Sequence, residues 1–297
     1  MLRSSLFAGN KELTDASKDP SKHIVRNDKR TGLFVSKIQE ALILLDYAII
    51  KGDDISKQRY GDSTADAVLE YKSRPGKEII NRTYQSEPDD IVGVMTMAHL
   101  DKEILELESR MPAMIEEARM AAFQRTFSAW FQVTPVGPPG EQKRVDPNET
   151  RLVIARQHAA RIFDDNEPNM EWISDVIGDM RNWLMQKSFT VMHLPDERIS
   201  GRSAFVVGNR PPICLCPLFF AGDKEQRIRT FIHESAHLHG VGDSQGESYY
   251  LKYNTRNEPP NYTIGNPTSN VRETFADTWA KYVNAITNQP ADADDHI

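Results

Sequence analysis

The feature that most constrains this chain is the pentapeptide His233-Glu234-Ser235-Ala236-His237, which has the pattern H-E-x-x-H. On a helix, residues four apart lie on one face, so His233 and His237 can present two imidazole nitrogens to a single metal ion about 2 Å away. Glu234 lies beside this pair, where it cannot easily ligate but can accept a proton from water on the metal. The pattern therefore predicts a helix that carries a metal site and a general base.

The residues that follow extend the pattern to H-E-x-x-H-x-x-G-x-x-D. Gly240 permits the backbone to turn out of the helix, which can bring Asp243 back toward the metal as an oxygen ligand. Two histidines and this aspartate leave one position of a tetrahedral zinc ion open for water, as in catalytic zinc sites, so the expected cofactor is Zn²⁺. His239, just before the glycine, is expected to be a helix C-terminal histidine, with contact to substrate as the alternative.

The surrounding sequence favours a helix at this position. Asp223 followed by Gln226 is a capping-box pattern, and apolar residues recur after it at helical intervals. These apolar residues are Ile228, Phe231, Ile232 and Leu238. Two upstream runs, Phe205-Val206-Val207 and Ile213-Cys214-Leu215-Cys216, predict strands. We expect the second strand at the edge of its sheet, where a substrate chain can be laid alongside it.

Composition limits the classes of partner. A chain of 297 residues with 39% hydrophobic content is long enough for two domains. A net charge of −7 provides no basic surface for nucleic acid. No apolar run approaches the roughly 18 residues that cross a bilayer. Cys214 and Cys216 are poorly placed to bond each other on one strand, so we expect buried thiols and no disulfide.

Helical periodicity divides the chain near residue 110 and predicts the α+β class. Residues 1–25 are polar and predict a loosely held lead. Residues 26–105 predict a small three-helix domain, and residues 101–131 a long helical linker. Residues 106–290 predict a mostly helical domain with a small sheet. Its further helices are expected at about 150–164, 172–186 and 271–286.

Three motifs in the N-terminal domain are spaced as three short helices. They are Gly32-x-x-Val35-x-x-Ile38-Gln39-x-x-Leu42, then Tyr60-Gly61-x-x-Thr64-Ala65-x-Ala67-Val68, then Ile91-Val92-Gly93-x-x-Thr96. This pattern resembles the peptidoglycan-binding-like domain, and the resemblance implies binding of cell-wall glycan. An insertion at 51–59 replaces that family's acidic turn before the second helix, so a structural or partner-docking role stays open.

Residues 113–290 resemble two families of zinc peptidase. The pattern that ends in Asp243 is shared with metzincins, which also need a methionine turn below the metal, but the last methionine here is Met192, upstream of the motif. The deuterolysin-like peptidases, or aspzincins, match better and include the peptidyl-lysine metalloendopeptidases. Three further segments resemble that family: a C-P-x-F-F strand end, a glycine-aspartate loop and an A-D-x-x-A helix, at 213–220, 240–246 and 275–282. The resemblance implies a zincin-like fold.

The third metal ligand is open between three carboxylates. Asp243 is favoured because the glycine turn and both family patterns point to it. A shifted alignment makes Glu247 the loop ligand. Glu273 and Asp277 form an E-x-x-x-D pattern, in which gluzincins supply a glutamate ligand. Whether Asp243 or Glu273 is the ligand, Asp277 is expected to accept an N–H from a ligand histidine.

The same loop carries candidate catalytic tyrosines. The family pattern places a tyrosine three residues after the aspartate, where this chain has Gly246. Tyr249 and Tyr250 follow shortly afterwards. Either phenol can swing toward the scissile carbonyl and stabilise its oxyanion, and the alternative is ordinary packing near a loop.

These expectations describe a zinc endopeptidase in which Glu234 takes a proton from metal-activated water. The resemblance implies protein or peptide substrates, cleaved at lysine in one branch of the family, and the N-terminal domain adds peptidoglycan. The first residues lack a secretory signal. We therefore expect synthesis in the cytoplasm and export by a specialised machine to the periplasm or extracellular space, as for a bacterial effector toxin with an immunity protein. The alternative is a non-catalytic cell-wall-binding protein with a metal-stabilised scaffold.

Overall fold

The computed structural model describes residues 2–26, 28, 30–46, 48–134, 150–163, 167–196, 199, 201–241 and 276–287. This part of the chain is mostly helical with a three-stranded sheet, which confirms the α+β class. The helices are α1 (Lys11–Ala16), α2 (Leu33–Asp46), α3 (Gly52–Ser56), α4 (Asp62–Lys72), α5 (Val94–Val133), α6 (Thr150–Phe163), α7 (Met170–Met185), α8 (Pro217–Ala221), α9 (Lys224–Leu238) and α10 (Ala276–Ile286). The strands are β1 (Phe189–Val191), β2 (Ala204–Val207) and β3 (Arg210–Leu215).

Most predicted elements are present near their expected bounds. Helices α6 and α7 begin and end within two residues of the predictions. The helix expected after Gly93 and the linker expected at 101–131 form one helix of 40 residues, α5. Of the final predicted helix, 271–286, the described part begins at Ala276. Among the described residues, no helix has both the length and the apolar character that a membrane crossing requires.

The sheet corrects one prediction. Its strand order is β1-β3-β2, so β3 is the central strand, and the expectation that the Ile213–Cys216 run forms the sheet edge is wrong. The sequence does not predict β1, because the apolar-polar-apolar run Phe-Thr-Val is too short to distinguish a strand. Strands β2 and β3 form a hairpin through Gly208 and Asn209, both with positive φ, a combination that fits a two-residue type I′ turn. Both cysteines are buried free thiols, as predicted.

The chain divides into two compact units. The first comprises Met1–Glu116, Thr190–Phe205 and Cys214–Arg227. The second comprises Glu117–Phe189, Val206–Ile213 and Ile228–Ile297. The stretch 26–105 lies within the first unit, and its status as a separate domain stays a prediction.

In the first unit, the polar lead is firmly held. The backbone N–H of Ser4 donates to the carboxylate of Asp101 at 2.9 Å, and that of Leu6 donates to Glu108 at 2.9 Å. Phe7 is fully buried. The prediction of a loosely held lead is wrong because carboxylates of α5 satisfy backbone donors that polar composition alone leaves to water.

Gln39, Thr64 and Gly61, three residues of the motifs that resemble the peptidoglycan-binding-like domain, make close structural contacts within the first unit. The buried side-chain amide of Gln39 donates to the carbonyls of Asp54 and Arg59, both at 3.1 Å, and to the hydroxyl of Thr64 at 3.0 Å. A Cβ at Gly61 would lie 2.1 Å from Oδ1 of Asp54, so only glycine permits this approach. The insertion at 51–59 thus supplies the buried carboxylate that packs against the start of α4. These motif residues have a structural role at this place, and glycan binding stays a prediction.

In the second unit, an aromatic cluster fixes α10 against α6. The ring of Phe163 lies 4.9 Å from that of Trp279 and 5.1 Å from that of Tyr282, measured between centroids. Trp172 of α7 contacts Trp279 edge-on at 5.3 Å. The buried hydroxyl of Tyr282 donates to the carbonyl of Ala155 at 3.0 Å. Helix α10, which bears Asp277, is therefore anchored by apolar and polar contacts together.

Candidate metal centre

Helix α9 begins with the predicted capping box. The backbone N–H of Gln226 donates to Oδ1 of Asp223, and the backbone N–H of Asp223 donates to Oε1 of Gln226, both at 2.8 Å. These bonds satisfy donors that a helix N-terminus otherwise leaves open. The four residues of the predicted apolar stripe, Ile228, Phe231, Ile232 and Leu238, are buried. The cap sets where the helix starts and the stripe sets which face is buried, so together they orient the histidine pair.

The two histidines converge as their spacing predicts. The Nε2 atoms of His233 and His237 lie 3.0 Å apart, and the rings are 79° from parallel. Two nitrogens that each lie about 2.05 Å from a tetrahedral zinc ion are about 3.3 Å apart. A small rotation of either ring would therefore bring the two nitrogens to the separation that zinc requires. At 3.0 Å the facing lone pairs repel unless a metal ion or a shared proton lies between them.

The C-terminus of α9 fixes the tautomer of His237. Gly240 has a φ of +95°. Its N–H donates to the carbonyl of His237 at 2.9 Å, and the N–H of Val241 donates to that of Ala236 at 3.3 Å, which is the Schellman motif. This turn brings the carbonyl oxygen of Val241 to 2.7 Å from Nδ1 of His237. A carbonyl only accepts, so Nδ1 carries the proton and Nε2 offers its lone pair to a metal.

Glu234 lies beside the pair, as predicted. It is 4% exposed, and its Oε1 lies 4.0 Å from Nε2 of His233. The ligand atoms of Glu234, His233 and His237 all lie within 4.8 Å of one another, and among the described residues no other such group of three is present. The side chain of His233 is 14% exposed. Solvent therefore reaches the pair, and the carboxylate is close enough to exchange a proton with a water molecule there.

His239 lies at the C-terminus of α9, as predicted, and bonds away from the pair. Its Nδ1 lies 2.8 Å from Oδ2 of Asp179 on α7. Two hydrogen-bond partners of these histidines were not predicted: Asp179, which bonds His239, and the carbonyl of Val241, which bonds His237. The carbonyl has a sequence signal, because a glycine just past a helix predicts a Schellman turn. The aspartate has none, because its place depends on how α7 packs.

The other predicted site residues fall outside the described part of the chain. They are Asp243, Glu247, Tyr249, Tyr250 and Glu273. Asp277 lies on α10, but its side chain is not among those described. The third ligand, the tyrosines and the role of Asp277 therefore stay predictions.

Comparisons with known proteins add no family. No family model matches the chain, and no curated protein or solved structure matches it significantly. The resemblances to peptidoglycan-binding-like domains and to aspzincins therefore stay predictions. The geometry of the site is therefore what indicates a function.

Proposed function

We propose that this protein is a zinc-dependent endopeptidase. One observation carries the proposal: the Nε2 atoms of His233 and His237 converge at 3.0 Å beside the buried carboxylate of Glu234. The bond from Nδ1 of His237 to the carbonyl of Val241 places the proton on Nδ1, so Nε2 carries the lone pair that a metal ligand uses. A purely structural zinc site has no use for a base at this position, so the three side chains together favour catalysis.

The donor set fits zinc. Neutral imidazole is a common zinc ligand, and a carboxylate from the predicted set, Asp243, Glu247 or Glu273, completes a three-ligand site with one open position. When bound, zinc lowers the pKa of the water it carries and polarises the substrate carbonyl.

The chain's own residues move the proton. Glu234 accepts a proton as water attacks the peptide carbonyl, and becomes a neutral carboxylic acid. It then donates that proton to the departing amine, and the C–N bond breaks. The carboxylate is regenerated, so protons balance over one turnover. Tyr249 or Tyr250 is the proposed donor to the carbonyl oxygen during the attack.

The substrate is proposed on the resemblance alone. Denatured proteins and cell-envelope peptides both offer the extended chain that an endopeptidase takes. An effector role, with an immunity protein and a secretion machine as partners, belongs to the same proposal.

The test is a metal assay followed by cleavage. The purified protein should contain about one zinc per chain, and should cleave denatured protein or purified peptidoglycan, with products identified by mass. Glu234→Gln should retain the zinc and lose about 100-fold to 10,000-fold of the cleavage rate. Glu225→Gln, the same change in the first turn of α9, is the matched control and should cleave like the wild type.

Two outcomes would overturn the proposal. A wild-type protein that binds zinc but cleaves none of these substrates supports the alternative, a cell-wall-binding protein with a metal-stabilised scaffold. A Glu234→Gln variant with full activity removes the general base from the mechanism.

A further inference from the structure

A buried carboxylate on α2 holds the segment that follows β1. Glu40 is 1% exposed. Its Oε1 lies 2.6 Å from Nδ1 of His193, and its Oε2 accepts the backbone N–H of Leu194 at 3.0 Å. The side chain of His193 is 63% exposed. A ring on the surface therefore bonds a carboxylate that is hidden from water, and all three residues belong to the first compact unit.

The strength of this tie depends on the proton of His193. A carboxylate removed from water is costly unless a positive charge or several donors compensate it. When the ring is protonated, Glu40 has an ion pair and a backbone donor. When the ring is neutral, Glu40 has two neutral N–H donors, which are weaker partners for a full charge.

The neighbouring charges act in both directions. The hydrogen bond to Glu40 is the largest cause that raises the pKa of His193 above its ordinary value. Burial and Lys37, one turn earlier on α2, oppose the rise in pKa, and Glu108 of α5 adds to it. Helix α8 also packs on α2 and has no titratable residue in its sequence, Pro-Leu-Phe-Phe-Ala. A raised pKa means that the tie is fully present at acidic pH and is lost as pH rises through the value of the folded protein.

The held segment is connected through β3 and α8 to the start of α9, the helix that bears His233 and His237. The backbone N–H of Met192 donates to the carbonyl of Leu215, the last residue of β3, at 2.8 Å. From there the chain passes through Cys216 into α8, which packs on α2, and then into the cap of α9. Helix α2 thus contacts both the segment after β1 and the segment before α9.

We propose that Glu40 and His193 form a pH-sensitive latch, which holds residues 192–194 against α2 while His193 is protonated and loosens them when the ring becomes neutral. The latch needs no metal and no substrate. It stands or falls independently of the proposed peptidase activity.

Amide hydrogen exchange in the full-length protein tests the latch. The exchange rate of the Leu194 amide is measured from about pH 5 to about pH 8 and corrected for the intrinsic effect of pH. In the wild type, protection should fall several-fold across the titration of His193. The amide of Ile213, which donates to the carbonyl of Ser188 at 3.0 Å, is the internal reference and should stay constant.

His193→Asn is the matched variant, because its side-chain amide places a neutral donor near the position of Nδ1. Protection of Leu194 should then be independent of pH. Glu108→Gln should move the transition to lower pH, and Lys37→Met to higher pH. Constant protection in the wild type, an equal fall in His193→Asn, or a parallel fall at Ile213 would each overturn the proposal. Glu40→Gln should abolish the transition, and if that variant does not fold, His193→Asn alone decides.

Discussion

Nδ1 of His237 lies 2.7 Å from the carbonyl oxygen of Val241, the first residue after Gly240, whose turn terminates α9. The contact joins a proposed metal ligand to the cap of its own helix. The orientation of the imidazole therefore depends on a backbone turn. Changes at Gly240, which has no ligand atom, should reach the metal through this turn.

We expect Gly240→Ala to weaken zinc binding. A side chain at a φ of +95° costs about 1 kcal/mol, and any shift of the turn moves the carbonyl away from His237. Zinc affinity, measured by competition with a chelator, should fall about 10-fold to 100-fold. Gly201→Ala is the control, because Gly201 has a similar φ of +73° and nothing near its missing Cβ. Equal affinity in the two variants would contradict the coupling.

Substitution of two histidines at the C-terminal end of α9 should have different effects on zinc binding. His237→Ala removes a ligand and should lower zinc affinity by at least about 100-fold. His239→Ala removes only the contact with Asp179 and should keep the metal, since its ring bonds away from the pair. Elemental analysis after dialysis distinguishes the two results. Loss of zinc in His239→Ala would show that the assignment of ligands is wrong.

Helix α9 was predictable because the sequence signals that specify it are local. The capping box at Asp223, the apolar stripe and the four-residue spacing of the histidines all lie within one helix, and each restricts the same backbone. Gly240 was predicted as a turn, though for a different purpose, to return Asp243 to the metal. Its visible effect is the cap that holds His237.

What the sequence did not show depends on contacts between distant segments. The central place of β3 follows from β1, whose three residues are too few for their alternation to predict a strand. The firmly held lead follows from Asp101 and Glu108, about a hundred residues away from their partners. The third metal ligand could be ranked, with Asp243 first, but not fixed, because Glu247 and Glu273 offer the same carboxylate chemistry.

Asp54 should contribute to acid sensitivity. Burial raises the pKa of Asp54, but hydrogen bonds from Ser63 and Arg59 outweigh it and hold the pKa below its usual value. A lowered pKa stabilises the fold above the unfolded value, about 3.9, and this stability is lost as pH falls through the folded value. Urea unfolding from about pH 6 to about pH 3 should therefore show a shallower loss of stability in Asp54→Asn than in the wild type. Identical slopes would exclude this contribution.

The hydroxyl of Tyr282 should stabilise the helix that carries Asp277. Tyr282→Phe keeps the ring against Phe163 but removes the donor to the carbonyl of Ala155, which is left without that bond inside the protein. The free energy of unfolding should fall by about 1 kcal/mol, measured with denaturant. Tyr84→Phe, at a residue that is 84% exposed, should leave the free energy of unfolding unchanged. If the zinc affinity of Tyr282→Phe also falls while Tyr84→Phe keeps it, the anchoring of α10 contributes to the metal site, as the predicted role of Asp277 requires.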